Sequence, residues 1–147
     1  MRIENQAPDR IAGDVVTAFF FEDQRPLQGS AELLDWRLNG VLTRLLLDGN
    51  ARGAPGEFIL VRSNGKLNAA WALFAGGGKR SHLAPFTYSG LIEGALEHCR
   101  RAGFRRIALC LSALVEQDDG WLQDLAQDLL GPGQDEQVNL TVLETFG

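Results

Sequence analysis

Phosphate-type chemistry in this chain would start at Gly76-Gly77-Gly78-Lys79-Arg80, where three successive residues without a β-carbon are followed by two cations. Backbone N–H groups in such a run can approach an anion closely and form a concave nest, and Lys79 and Arg80 would add positive charge. Gly76, Gly77, Gly78, Lys79 and Arg80 are therefore the candidate ligand-binding residues. A plain flexible turn is the competing reading. The chain has neither a G-x-G-x-x-G after its first strand nor a G-x-x-x-x-G-K-[ST] loop.

The other reactive side chains build no second centre. His82 follows the loop beside Ser81 and is the better placed of the two histidines, but no G-x-S-x-G elbow exposes a serine to it. His98, among Glu97, Arg100 and Arg101, reads as a surface residue of a helix. Cys99 and Cys110 each fall inside an apolar periodic segment, which predicts buried, inert thiols. No His/Cys/Asp/Glu spacing matches a ligand set, so neither metal nor cofactor is expected. Glu116, Asp118 and Asp119 supply charge near a helix N-terminus, and no catalytic residue is assigned.

These residues need elements to hold them. Asp14 to Phe21 is a short β-branched and aromatic run that reads as a buried first strand. Ser30 is a plausible helix N-cap, and Leu34, Leu38, Val41 and Leu45 then keep helical spacing in one helix ending near Asp48-Gly49. Gly53, Pro55 and Gly56 turn the chain into Phe58 to Val61, and Asn64-Gly65 predicts a hairpin into Ala69 to Ala75. This last strand is apolar on both faces, which places it inside a covered sheet with the glycine loop at its carboxyl end. A second helix carries Tyr88, Leu91, Ile92, Ala95, Cys99 and Ala102, with Gly103 as its C′ residue. Ile107 to Leu111 is a further strand, Trp121 to Leu130 a third helix, and Val138 to Leu143 a half-buried edge strand. The order β-α-β-β-α-β-α-β implies a mixed sheet with helices on both faces, a three-layer α/β/α domain.

Composition narrows the function classes. At 147 residues the chain fits one domain, 1–147, with 1–13 as an irregular N-terminal segment. Hydrophobic residues make up 45% and charged residues 22%, an ordinary globular balance. Fourteen Lys+Arg against nineteen Asp+Glu give a net charge of -5, which repels phosphate backbones. Arg100, Arg101, Arg105 and Arg106 do cluster, but no aromatics are interleaved to stack on bases, so nucleic acid is not expected as a partner. The polar stretch Met1 to Arg10 is unlike a signal peptide, and no run approaches a membrane span; a cytoplasmic location without membrane contact is expected.

Several segments in register resemble a known family. A strand ending in Phe19-Phe20-Phe21-Glu22 is followed by Leu33-Leu34-Asp35, Gly40-Val41-Leu42 and Leu45-Leu46, then by the turn Gly53-Ala54-Pro55-Gly56-Glu57 and by Ala75-Gly76-Gly77-Gly78-Lys79. Together they resemble the N-terminal domain of the M17 leucyl aminopeptidases, from about Asp14 onward. The resemblance implies a macro-domain-like fold. In that family a separate C-terminal domain does the two-metal catalysis, and its Asn-Thr-Asp-Ala-Glu-Gly-Arg-Leu motif is absent before Gly147. The expectation is thus a stand-alone, non-catalytic module for assembly, interaction or regulation, with a protein partner or self-association. The alternative implied by the same fold is binding of ADP-ribose or another phosphate-containing small molecule at the Gly76–Lys79 loop.

Overall fold

Along Gly13–Phe20 (β2) the side chains alternate between two buried faces. Val15 and Phe19 enter one apolar cluster, while Val16, Ala18 and Phe20 enter another. A strand buried on both sides needs a helical layer on each. The computed structural model, which describes residues 2–4, 7–112 and 137–143, supplies both. Helix α3 (Pro85–Arg101) covers the first face with Tyr88, Ile92, Ala95, Leu96 and Cys99. Helices α1 (Gly29–Arg37) and α2 (Val41–Leu47) cover the second with Ala31, Leu34 and Leu42, joined by Leu38 at the C-cap of α1.

The sheet adds β1 (Arg2–Glu4), β3 (Phe58–Arg62), β4 (Ala69–Gly76), β5 (Arg106–Ser112) and β6 (Gln137–Leu143), in the order β1-β6-β5-β2-β4-β3. Every neighbouring pair is parallel except β3 with β4. The expected three-layer mixed architecture is therefore what the chain adopts. Asn64 and Gly65, with φ of 51° and 81°, make the β3–β4 hairpin in the left-handed conformation that such a turn requires. Helix α3 ends in a Schellman motif: Gly103 N–H donates to Arg100 O and Phe104 N–H to Cys99 O, each at 3.0 Å.

Some expectations are corrected. The segment 138–143 is not an edge strand, because β6 lies between β5 and β1. Alternating polarity reports how one face is solvated and says nothing about how many neighbours a strand has. Nor is 1–13 irregular throughout, since β1 pairs with β6 in register from Arg2 with Asn139 to Glu4 with Thr141. Three residues are too few to leave a periodic signature. The single helix from Ser30 to Gly49 is two, and α1 begins at Gly29 with Gln28 as its N-cap in place of Ser30. Asn39 and Gly40 break it with φ of 61° and 75°. The expected helix 121–130 and the Glu116, Asp118, Asp119 group lie outside the described residues.

Candidate functional site

The carboxyl ends of β2 and β4 bring three loops together. Gly76 ends β4 beside the 53–57 turn, and a β-carbon there would lie 2.0 Å from Ala54 O. One on Gly77 would lie 2.4 Å from the Phe21 ring, and Gly78 takes a φ of 76°. All three glycines are buried. Backbone packing accounts for Gly76, the Phe21 ring for Gly77, and the positive φ beside the Pro55 ring for Gly78.

Their donors are also engaged. Gly76 N–H donates to Glu57 O at 2.8 Å, Gly77 N–H to Phe20 O at 2.9 Å and Gly78 N–H to Gly53 O at 2.8 Å. Just beyond, Arg80 N–H and Ser81 N–H donate to the two carboxylate oxygens of Asp23 at 2.7 and 3.1 Å. The expected nest is thus filled from within, and a carboxylate of this chain occupies the place of an anion over Arg80–His82, a single 3-10 turn. The Arg80 N–H, then the Ser81 N–H, hold the Asp23 carboxyl below its ordinary 3.8. Lys79 and Arg80 are exposed, so their side chains are what the loop offers to solvent.

Two further side chains lace the loops. Arg25 donates to Phe21 O at 2.5 Å, Gln24 O at 2.8 Å and Arg52 O at 2.9 Å. Glu57 Oε1 accepts from Arg52 N–H and Gly53 N–H, both at 2.9 Å. Their partners are backbone groups, which leave no mark in residue types, and among these bonds that of Arg25 to Arg52 O joins two loops. Among the remaining chemically capable side chains, His82 is exposed and outside this cluster. His98 is half-buried and not the surface residue expected, with its ring stacked on Phe58 at 4.3 Å and 17°. Both thiols are free and buried, as expected. Burial pushes Cys99 up to about 11 and Cys110 up to about 12. Among the described residues no group of three or more His, Cys, Asp and Glu is placed to hold a metal ion. No helix there is long and apolar enough to cross a membrane.

A second surface lies on the helical layer formed by α1 and α2. A groove of about 900 Å³ runs along α1 and α2, lined among others by Leu27, Leu33, Trp36 and Arg44. Trp36 is 70% exposed within it, with the Arg37 guanidinium carbon 5.0 Å from its ring centroid, and Leu47 at the end of α2 is 80% exposed. The floor is polar but satisfied: Asp35 accepts from Leu42 N–H at 2.7 Å, Thr43 N–H at 3.3 Å and Thr43 Oγ1 at 2.5 Å. A signal for this site existed in the sequence. Trp36 sits between Asp35 and Arg37, off the Leu34/Leu38 stripe, and a large aromatic on a polar helix face is out of place unless something covers it.

Comparison with known proteins places the chain. The family model described as cytosol aminopeptidase family, N-terminal domain, matches residues 15–130. A probable cytosol aminopeptidase of a Sulfurihydrogenibium species is 32% identical over 71 residues, 48% of this chain and 14% of the relative. One from Nitrosomonas eutropha is 26% identical over 111 residues, 74% of this chain and 22% of the relative. The chain thus spans a small part of the length of these relatives. Among solved structures, a tomato leucine aminopeptidase mutant is similar with a TM-score of 0.68 at 17% identity, covering 99% of this chain and 32% of that one. The macrodomain of Mycobacterium tuberculosis DarG gives a TM-score of 0.68 at 12% identity, covering 96% and 95%. A Trypanosoma brucei macrodomain in complex with ADP-ribose gives 0.68 at 13%, covering 97% and 63%. At such identities the likeness establishes the macrodomain-like three-layer fold.

Proposed function

The chain belongs to the cytosol aminopeptidase family, in whose N-terminal domain its match lies, and on that premise we propose that it serves as a non-catalytic interaction or assembly module that docks a protein partner. The observation that carries this reading is the α1–α2 groove with Trp36 70% exposed on its wall. An exposed apolar patch rimmed by polar groups marks a docking surface, and a large aromatic mostly in water is a typical anchor for one. The filled glycine loop supports the same reading, because donors already used by Phe20, Gly53, Glu57 and Asp23 offer little to a small anion. The test is capture of host proteins on the immobilised full chain beside a Trp36→Glu variant. A specific protein retained by the wild type and lost with the variant is expected. Equal retention by both, or none by either, overturns the reading.

A second reading is binding of ADP-ribose or another phosphate compound over Gly76–Arg80. It is supported by the likeness to a macrodomain solved with ADP-ribose and by the exposure of Lys79 and Arg80 beside the carboxyl edge. On this fold such a ligand would rely on those two side chains and on displacing Asp23. Titration calorimetry with ADP-ribose on the wild type and on Lys79→Ala/Arg80→Ala decides it: heat that vanishes in the variant supports the site, and no heat from the wild type removes it.

A further inference from the structure

One edge of the sheet is open and long. In the β3–β4 pair, Gly76 N–H donates to Glu57 O at 2.8 Å and Ser63 N–H to Ala70 O at 2.9 Å. The register between them runs without a bulge from Phe58 opposite Ala75 to Arg62 opposite Trp71. Hydrogen-bonded and non-hydrogen-bonded pairs alternate in an antiparallel ladder, so Ile59 and Val61 bond to β4 while the N–H and C=O of Phe58, Leu60 and Arg62 point away from it. Among the described residues nothing pairs with that side. Leu60 is accordingly 38% exposed.

Edges of this kind are normally blunted by shortness, proline, a bulge or a charge in mid-strand. The opposite edge, β1, is blunted by its three-residue length. Strand β3 is Phe-Ile-Leu-Val-Arg, with no proline, no bulge and its only charge at the last position. Glu57, just before it, has its carboxylate tied to Arg52 N–H and Gly53 N–H.

The geometry points to a second copy of this chain as the occupant, pairing β3 with β3 antiparallel about a two-fold axis at Leu60. In that register Leu60 faces Leu60 of the second copy, and Phe58 faces Arg62 of the second copy. Each of these pairs exchanges two backbone hydrogen bonds, because all three residues present their groups outward. Arg62, whose guanidinium carbon lies 5.1 Å from the Trp71 ring centroid of its own chain, then stands opposite an uncharged residue, whereas a parallel pairing would set arginine beside arginine and cost stability. Pairing consumes the longer open edge that the described residues of each copy offer, so the assembly closes as a dimer and does not propagate. This surface shares no residue with the α1–α2 groove, and the two stand or fall separately.

The test uses the full chain. Light scattering and sedimentation over a range of concentrations are expected to show a monomer–dimer equilibrium, which Leu60→Asp weakens at least about tenfold by opposing two carboxylates. Trp36→Glu leaves that equilibrium unchanged. Since a directly opposed hydrogen-bonded pair sets its Cα atoms about 5.5 Å apart, within disulfide reach, Leu60→Cys is expected to form a covalent dimer under mild oxidant. The native thiols are buried and do not compete. Reduced Leu60→Cys should melt as the wild type does, which keeps the experiment informative if Leu60→Asp folds poorly. A wild type that stays monomeric, a dimer that survives Leu60→Asp, or Leu60→Cys that yields no covalent dimer overturns the proposal.

Discussion

Asp35 shows how one side chain can decide a local structure. It is only 6% exposed, and its carboxylate takes the first free N–H groups of α2, from Leu42 and Thr43, together with the Thr43 hydroxyl. Alanine here would leave those donors without an acceptor, a loss of roughly 1–3 kcal/mol. Asp35→Ala should therefore lower the urea midpoint clearly, and Asp35→Asn, which keeps one acceptor oxygen, should lower it less. Equal effects would show that a neutral acceptor oxygen does not stand in for the carboxylate. Asp14 acts in the same way at the start of β5, accepting from Arg106 N–H at 2.9 Å and Arg105 N–H at 2.8 Å, and these bonds hold its carboxyl below 3.8. Asp14 and Asp23 are both lowered, so the unfolded chain binds more protons than the folded one just below the ordinary carboxylate range. Their contribution is full above about pH 4 and is lost as pH falls through the folded values. Denaturation midpoints measured down an acid series should fall for the wild type and fall less steeply for Asp14→Asn, which starts lower at neutral pH. Cys99 and Cys110, pushed up to about 11 and about 12, stay protonated in mild alkali, so an aromatic disulfide reagent should label neither until urea unfolds the chain.

At the scale of elements, β2, β4, β5 and α3 were legible because burial on both faces, or on one helical stripe, leaves its mark in residue order. The break between α1 and α2 was not. Leu34, Leu38, Val41 and Leu45 keep helical spacing straight across it, and the stop comes from Asn39 and Gly40 at φ of 61° and 75° with Gly40 N–H donating to Asp35 O at 2.8 Å. A β-carbon on Gly40 meets nothing within 4 Å, so Gly40→Ala isolates the conformational cost. It should destabilise by about 1 kcal/mol in chemical denaturation. Gly76→Ala tests something else, because its new methyl would run into Ala54 O, and a fold much less stable than that of Lys79→Ala is expected. The glycine triplet was visible in the sequence; its acceptors were not. Phe20 comes from β2 and Gly53 and Glu57 from the 52–57 loop, and only the folded chain brings them to Gly76, Gly77 and Gly78. Trp36 was visible too, but its exposure follows from the course of α1 over the sheet.

For the whole molecule, the loops at the carboxyl ends of β2 and β4, where an open α/β sheet usually holds a ligand, spend their backbone donors on one another among the described residues. Loops 21–25, 52–57 and 76–82 are locked to one another by Arg25, Glu57 and Asp23, and among the described residues the α1–α2 groove, a cavity of about 350 Å³ between Gly76, Phe58 and His98, and the outer side of β3 stay open. Glu57 is the centre of that lock. Its side chain holds Gly53 N–H, its own carbonyl accepts from Gly76 N–H, and Gly53 O accepts from Gly78 N–H. Removing the carboxylate should therefore loosen the 52–57 turn first and the glycine loop with it, while β2 and β5, buried on both faces, keep their ladder. The loss of hydrogen bonds to a charged group, roughly 1.5–3 kcal/mol, corresponds to exchange faster by about one to two orders of magnitude in the loop. Hydrogen exchange on Glu57→Ala should show this acceleration at Gly76–Gly78 with unchanged protection at Val16–Ala18 and Ala108–Cys110. If exchange rose equally across the sheet, the loops and the core would be one cooperative unit, and the carboxyl edge would owe its closure to the whole fold and not to this lock.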